Sequence, residues 1–225
     1  MKRIITILSA AVLLTLLSPT VYAQWKVGVN AGAAYNRYSI DKQYMTDYHF
    51  EGAWGASMGV MSQYNFTDWL GIRGELNFTQ RSYKHTRNVY ANRLNYHYRN
   101  DYLLLPVAAN FSFGGKSLRG FMNLGVYGGY WLNSHRSGKD FASLSEREFI
   151  VSEDLAFSPE KDQRWDFGYT AGVGVEWRFA AHWAVQAEAL GYYSVVSSTK
   201  QYMTHVKDFR YNTTVGLQAG VLYLF

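Results

Sequence analysis

The chain has 225 residues, of which 17% are aromatic and 17% charged, with three prolines and no cysteine. Without cysteine there are no disulfides and no thiolate metal sites. A formal net charge of +5, or +3 once Lys2 and Arg3 of the leader are removed, is too mild to indicate a nucleic-acid partner.

Residues 1–23 begin with Lys2 and Arg3, run through an apolar core over 4–17 and end Val21-Tyr22-Ala23. That layout predicts a signal peptide cleaved after Ala23 and a single mature domain over 24–225, because the apolar core is shorter than the ~20 residues a helical span needs. No long apolar run follows. If the mature chain enters a bilayer, a closed β-barrel is therefore the remaining way to cross with its backbone satisfied.

Alternation of apolar and small or polar residues marks the strands in order. The first sets Trp25, Val27, Val29, Ala31, Ala33 and Tyr35 against Lys26, Gly28, Asn30 and Gly32. The second sets Trp54, Ala56, Met58, Val60, Tyr64 and Phe66 against Gly55, Ser57, Gly59 and Gln63, and Thr67-Asp68 turns it. Leu70, Ile72, Leu76 and Phe78 mark the third; Leu103, Leu105, Val107, Ala109, Phe111 and Phe113 mark the fourth, which turns at residues 114–117. Met122, Leu124, Val126, Tyr130 and Leu132 mark the fifth, and the sixth alternates without a break from Trp165 to Phe179. After a turn over 180–182, the seventh carries Trp183, Val185, Ala187, Ala189, Tyr193 and Val195, and the last runs Thr213, Val215, Leu217, Ala219, Val221, Tyr223, Phe225. Long connections are expected over about 39–50, 82–100, 134–164 and 197–209. The pattern predicts an all-β, eight-stranded antiparallel up-and-down transmembrane β-barrel, with short periplasmic turns, long outer loops and both termini on the periplasmic side. An extra hairpin between 148–151 and 155–157 would raise the count to ten.

A water-soluble barrel alternates as well, with its greasy face inward. Three features favour lipid on that face. Aromatic residues gather at both strand ends, with Trp25, Trp69, Trp183 and Phe225 at one and Tyr35, Trp54, Tyr102, Tyr130 and Trp165 at the other. Glycines lie mostly on the polar face, where a narrow interior needs the room. That face also carries Arg73, Glu75, Arg81, Glu176, Arg178 and Glu188, an expected network of lumen charges, either a satisfied plug or an ion path. Pro106 cannot donate to a ladder, so it marks a break or bulge, or else turns its missing donor to the lumen.

The closing run to Phe225 resembles the last strand of bacterial outer-membrane barrels, which implies recognition by barrel assembly machinery. Residues 101–111, reading Asp-Tyr-Leu-Leu-Leu-Pro-Val-Ala-Ala-Asn-Phe, resemble the Tyr-Leu-x-Ile-Pro-Leu-Leu segment of the PorT-like outer-membrane β-barrel family of Bacteroidetes. Residues 125–130 and 168–177 are similar to that family's fifth and sixth strands. Leu104 and Asn110 depart from it, standing where a charged residue and Lys are usual. The resemblance implies an outer-membrane barrel, in some members tied to type IX secretion.

Catalytic and metal-ligating patterns are absent from the sequence, and no cofactor is expected. Ser134 and His135 fall at the outer rim, but neighbours in an extended segment point oppositely and no orienting carboxylate is identifiable. The expectation is a non-enzymatic barrel that binds a partner through its outer loops, with a rim-active lipid A enzyme or a narrow ion channel as alternatives. The best candidate loop carries Lys84, Arg87, Arg93 and Arg99 and no acid between Tyr83 and Arg99, interleaved with Tyr83, Tyr90, Tyr96 and Tyr98. Such a loop suits lipopolysaccharide phosphates, or docking on the third connection, where seven acids outnumber five bases over 134–164. Outer-membrane lipid and a protein not identifiable from sequence complete the expected partners.

Overall fold

A computed structural model describes residues 24–42, 48–89, 92–142, 147–201 and 208–225. The expected signal peptide, 1–23, lies outside them. The strands are β1 (Gln24–Lys42), β2 (Tyr48–Asn65), β3 (Leu70–Val89), β4 (Asn92–Gly114), β5 (Leu118–Ala142), β6 (Arg147–Asp154), β7 (Trp165–Arg178), β8 (Trp183–Ser194) and β9 (Asp208–Leu224). All the pairings are antiparallel. Eight strands close a ring in the order β1-β2-β3-β4-β5-β7-β8-β9, sealed by the β1–β9 ladder from Lys26↔Leu224 to Lys42↔Asp208. A closed ring leaves no edge to satisfy in lipid.

The ring is inside out relative to a soluble barrel. Val29, Trp54 and Leu217 are 58%, 61% and 64% exposed, while Arg73, Asn77 and Arg81 are 2%, 0% and 0%. Burying charge while exposing valine and tryptophan would be unfavourable in water and is favourable only where hydrocarbon is the outer solvent. A Cβ on Gly172 would collide with the Glu188 carboxylate, and one on Gly59 with the Asn77 side chain, so these glycines make space for inward polar groups. Gly114, at φ +122°, opens the short β4–β5 turn in a conformation that favours glycine.

Three expectations are corrected. Parts of the segments read as long loops are strand: β3 and β4 stay paired from Tyr83↔Tyr98 to Val89↔Asn92, and β5 runs to Ala142, whereas 155–164 and 197–201 lie outside the strands as expected. Beyond the bilayer both faces of a ribbon are wet, so the ladder continues after the apolar alternation has stopped. The possible ten-strand count gives way to a different ninth strand. Residues 147–154 form β6 and pair with β5 from Ala142↔Arg147 to His135↔Asp154, whereas 155–157 is not a strand. Tyr102, assigned to the outer belt, points inward and is 1% exposed, sharing its face with Leu104 and Pro106. At Pro106 the expected break is present and the bulge is not: the β3–β4 ladder is interrupted between Gly74↔Val107 and Asn77↔Leu104 without a shift of register, and the buried Pro106 side chain faces the lumen. The bulges lie instead near the hairpin end, between Gly52 and Ser57 on β2 and opposite Asp101/Tyr102 on β5.

Candidate functional site

Three tiers of charge fill the lumen. At the short-turn end, Lys26 donates to both carboxylate oxygens of Glu176 at 2.8 and 2.6 Å, with Arg178 3.8 Å from the same group. In the middle, Arg73 lies 2.5 Å from Glu75 and 2.9 Å from Glu188. Asn77 donates to Glu75 at 2.7 Å, and Asn123 and Gln218 donate to Glu188 at 2.7 and 3.0 Å. Toward the hairpin end, Arg81 pairs with Asp166 and stands 4.8, 5.4 and 6.0 Å from the ring centres of Tyr102, Tyr127 and Tyr192. Tyr127 also donates to Asp166 at 3.1 Å.

All six residues predicted for the lumen are in this assembly, which also includes Lys26 and Asp166. With them the four cations match the four anions, as an interior of low dielectric requires. Both were legible on the polar faces of their strands. A cavity of about 20 Å³ beside Arg73, Glu75 and Glu188 has room for roughly one water. Above Arg81, Tyr102 stacks on Trp131 at 5.7 Å and 8°, and Phe157 packs edge-on against Trp131 at 5.0 Å. Over this lid lies an open cup of about 420 Å³ lined by Tyr38, Phe50, Tyr83, Tyr98 and Arg210.

The hairpin β3–β4 carries the candidate lipopolysaccharide contacts. Lys84 and Arg99 are exposed on its outward face, and His97, directly opposite Lys84, joins them. Burial, then the neighbouring charges of Lys84 and Arg99, push the His97 pKa below its ordinary value. Arg87 is half-buried on the face that continues the lumen side with Tyr83 and His85, and the Arg93 side chain lies outside the described residues. The acids of β6 are engaged with β5: Arg136 pairs with Glu153, Lys139 lies 3.4 Å from Glu148, and His135 contacts Asp154.

Ser134 and His135 do not meet. Ser134 is buried and donates to Asn100 at 2.8 Å. The His135 ring turns outward, with Nδ1 2.8 Å from Asp154 Oδ1 and Nε2 3.3 Å from Ser152 Oγ. The carboxylate absent from the sequence argument is thus supplied by β6. Its pairing with β5 spans nineteen residues at Asp154, and no local pattern announced it.

Residues 18–198 match the family model described as outer membrane protein beta-barrel domain. The chain belongs to this family. Among solved structures, this outer-membrane barrel is similar to OprG of Pseudomonas aeruginosa at a TM-score of 0.54 and 12% identity, covering 90% of this chain and 96% of that one. Neisserial surface protein A follows at 0.44 and 16%, with 88% and 96% covered. Ail of Yersinia pestis follows at 0.41 and 16%, with 89% and 99% covered. At these identities the likeness to OprG shows the fold alone. No curated protein matches the chain. Outer-membrane localisation follows from the family together with the apolar exterior.

Proposed function

We propose that this outer-membrane barrel is a recognition protein of the outer leaflet, gripping lipopolysaccharide phosphates with the outward face of the β3–β4 hairpin. The observation that carries the reading is the grouping of Lys84, His97 and Arg99 on one exposed face beyond the aromatic belt that includes Trp54, Tyr130 and Trp165. Docking of this hairpin on the acidic third connection is less well supported, because the β6 acids already have partners on β5. Arg87 faces the cup side and is assigned no phosphate, while Arg93 belongs to the same hairpin.

In this reading the termini and short turns face the periplasm, residues 1–23 direct export and are removed, and Phe225 presents the last strand to the assembly machinery. The PorT-like resemblance supports a link to type IX secretion, with the hairpin end as the surface a secretion component would hold. A conducting channel is disfavoured by the neutralised charge tiers and the Tyr102–Trp131 lid.

The test is the double substitution Lys84→Gln/Arg99→Gln, with lipopolysaccharide in the purified barrel quantified by lipid A mass spectrometry. Bound lipopolysaccharide should fall several-fold, and what remains should be less sensitive to salt. Unchanged content and salt response would overturn the proposal.

A further inference from the structure

We propose that Ser152, His135 and Asp154 form a hydrolytic site for small acyl esters carried on the saccharides of the outer leaflet. The three side chains make a relay across the β5–β6 ladder. Asp154 stands directly opposite His135, and its carboxylate accepts from Nδ1 at 2.8 Å, so in the neutral ring the acceptor is Nε2. Ser152, two residues before Asp154 on the same face, donates its hydroxyl proton toward Nε2 at 3.3 Å. Nucleophile, base and orienting carboxylate are therefore in contact in the order acyl transfer requires. The surroundings fit an ester. Arg99 is the cross-strand neighbour of His135 on its other side; it lies 3.6 Å from Asp101 and remains half-exposed, and it is the nearest cation in the ladder for a developing oxyanion, a role the backbone N–H groups held in the ladders do not fill. Ile150, on the Ser152 face and 81% exposed, offers an apolar contact for an acyl group.

Height selects the substrate class. His135 lies five residues along β5 beyond Tyr130 of the aromatic belt, which at a strand tilt near 40° is roughly 12 Å above it. At that level the outer leaflet presents saccharide, with the embedded acyl chains well below.

In the reaction, Ser152 Oγ bonds to the ester carbonyl carbon as its proton passes to His135 Nε2. The ester C–O bond breaks, and the sugar oxygen leaves with that proton. Water then attacks the acyl-serine, again losing a proton to Nε2, and releases the carboxylic acid with Ser152 restored. Water is the only co-reactant. The site departs from the sequence expectation of a non-enzymatic barrel, which rested on Ser134 and His135 pointing oppositely and on the missing carboxylate, and it does not depend on phosphate binding by the hairpin.

The experiment uses the full barrel in detergent micelles with two soluble probes, a fluorophosphonate reporter and p-nitrophenyl acetate. The reporter should label Ser152, identified by peptide mass, and ester turnover should disappear in Ser152→Ala. His135→Ala should slow labelling by roughly 100-fold, the lower end of a general base's contribution. Asp154 is a positioning residue, so Asp154→Asn should slow labelling and Asp154→Glu should recover part of the rate. Ser137→Ala, directly opposite Ser152 but outside the relay, should behave as wild type, and heat-modifiable gel mobility confirms folding of each variant. Labelling of the folded wild type no greater than that of Ser152→Ala, or at an unchanged rate in folded His135→Ala, would overturn the proposal.

Discussion

The lower barrel and the hairpin end use the same ladder in two solvents. In the lower barrel, neighbouring residues differ sharply: Leu217 is 64% exposed and Gln218 beside it is 6%. On the β3–β4 extension both faces carry polar groups, with Lys84 and Arg99 on one side and Tyr83, His85 and Tyr98 on the other. The difference teaches that alternation in the sequence records contact with hydrocarbon, while strand pairing alone leaves no such trace. It also separates two sources of stability: buried, neutralised ion tiers below, and stacked rings such as Tyr38–Tyr83–Tyr98 above, at 4.6 and 4.8 Å.

The largest expected effect breaks the lower region. Arg81→Met leaves Asp166 buried without its partner and should cost about 3–5 kcal/mol in reversible unfolding from lipid vesicles. Arg81→Met/Asp166→Leu should recover most of that loss. Next, Leu217→Arg, midway between the ring-bearing ends of β9, should cost about 2–4 kcal/mol in the same assay. Thr86→Arg, on the hairpin, should stay within about 0.5 kcal/mol. Equal penalties at the two sites would erase the distinction between the regions.

The smallest effect sharpens the upper region. The lowered His97 pKa means the folded hairpin binds its proton less readily than the unfolded chain does. Its contribution is therefore intact above the ordinary histidine range near 6.5 and weakens as pH falls below it. Amide protection factors along β3–β4, which correct for the intrinsic slowing of exchange in acid, should fall on acidification, and fall less in Lys84→Gln/Arg99→Gln, where the His97 pKa rises toward its ordinary value.

Legibility in the sequence followed the same divide. Trp54-Ala56-Met58-Val60 and the closing run to Phe225 announced both strand and outer face, because lipid selects every second residue there. The ring of eight could be read from such runs. The rim could not: β6 alternates weakly, and its register against β5 is a long-range choice, so Asp154 and Ser152 were invisible beside His135. Lys26, Asp166 and Tyr102 were different. Their place on the inward face follows from parity alone, a rule that puts Lys26 and Asp166 with the six named charges and outweighs the aromatic character of Tyr102.

The central claim is that hydrocarbon touches the tryptophan-bearing exterior while the lumen stays sealed. Six of the seven tryptophans are 46% to 61% exposed, and Trp131 is 8% exposed inside the lid. In bilayers of lipid with brominated acyl chains, most tryptophan emission should be quenched, and the residual emission should vanish in Trp131→Phe. Emission that resists bromine in the wild type, or a residual unaffected by Trp131→Phe, would contradict the account.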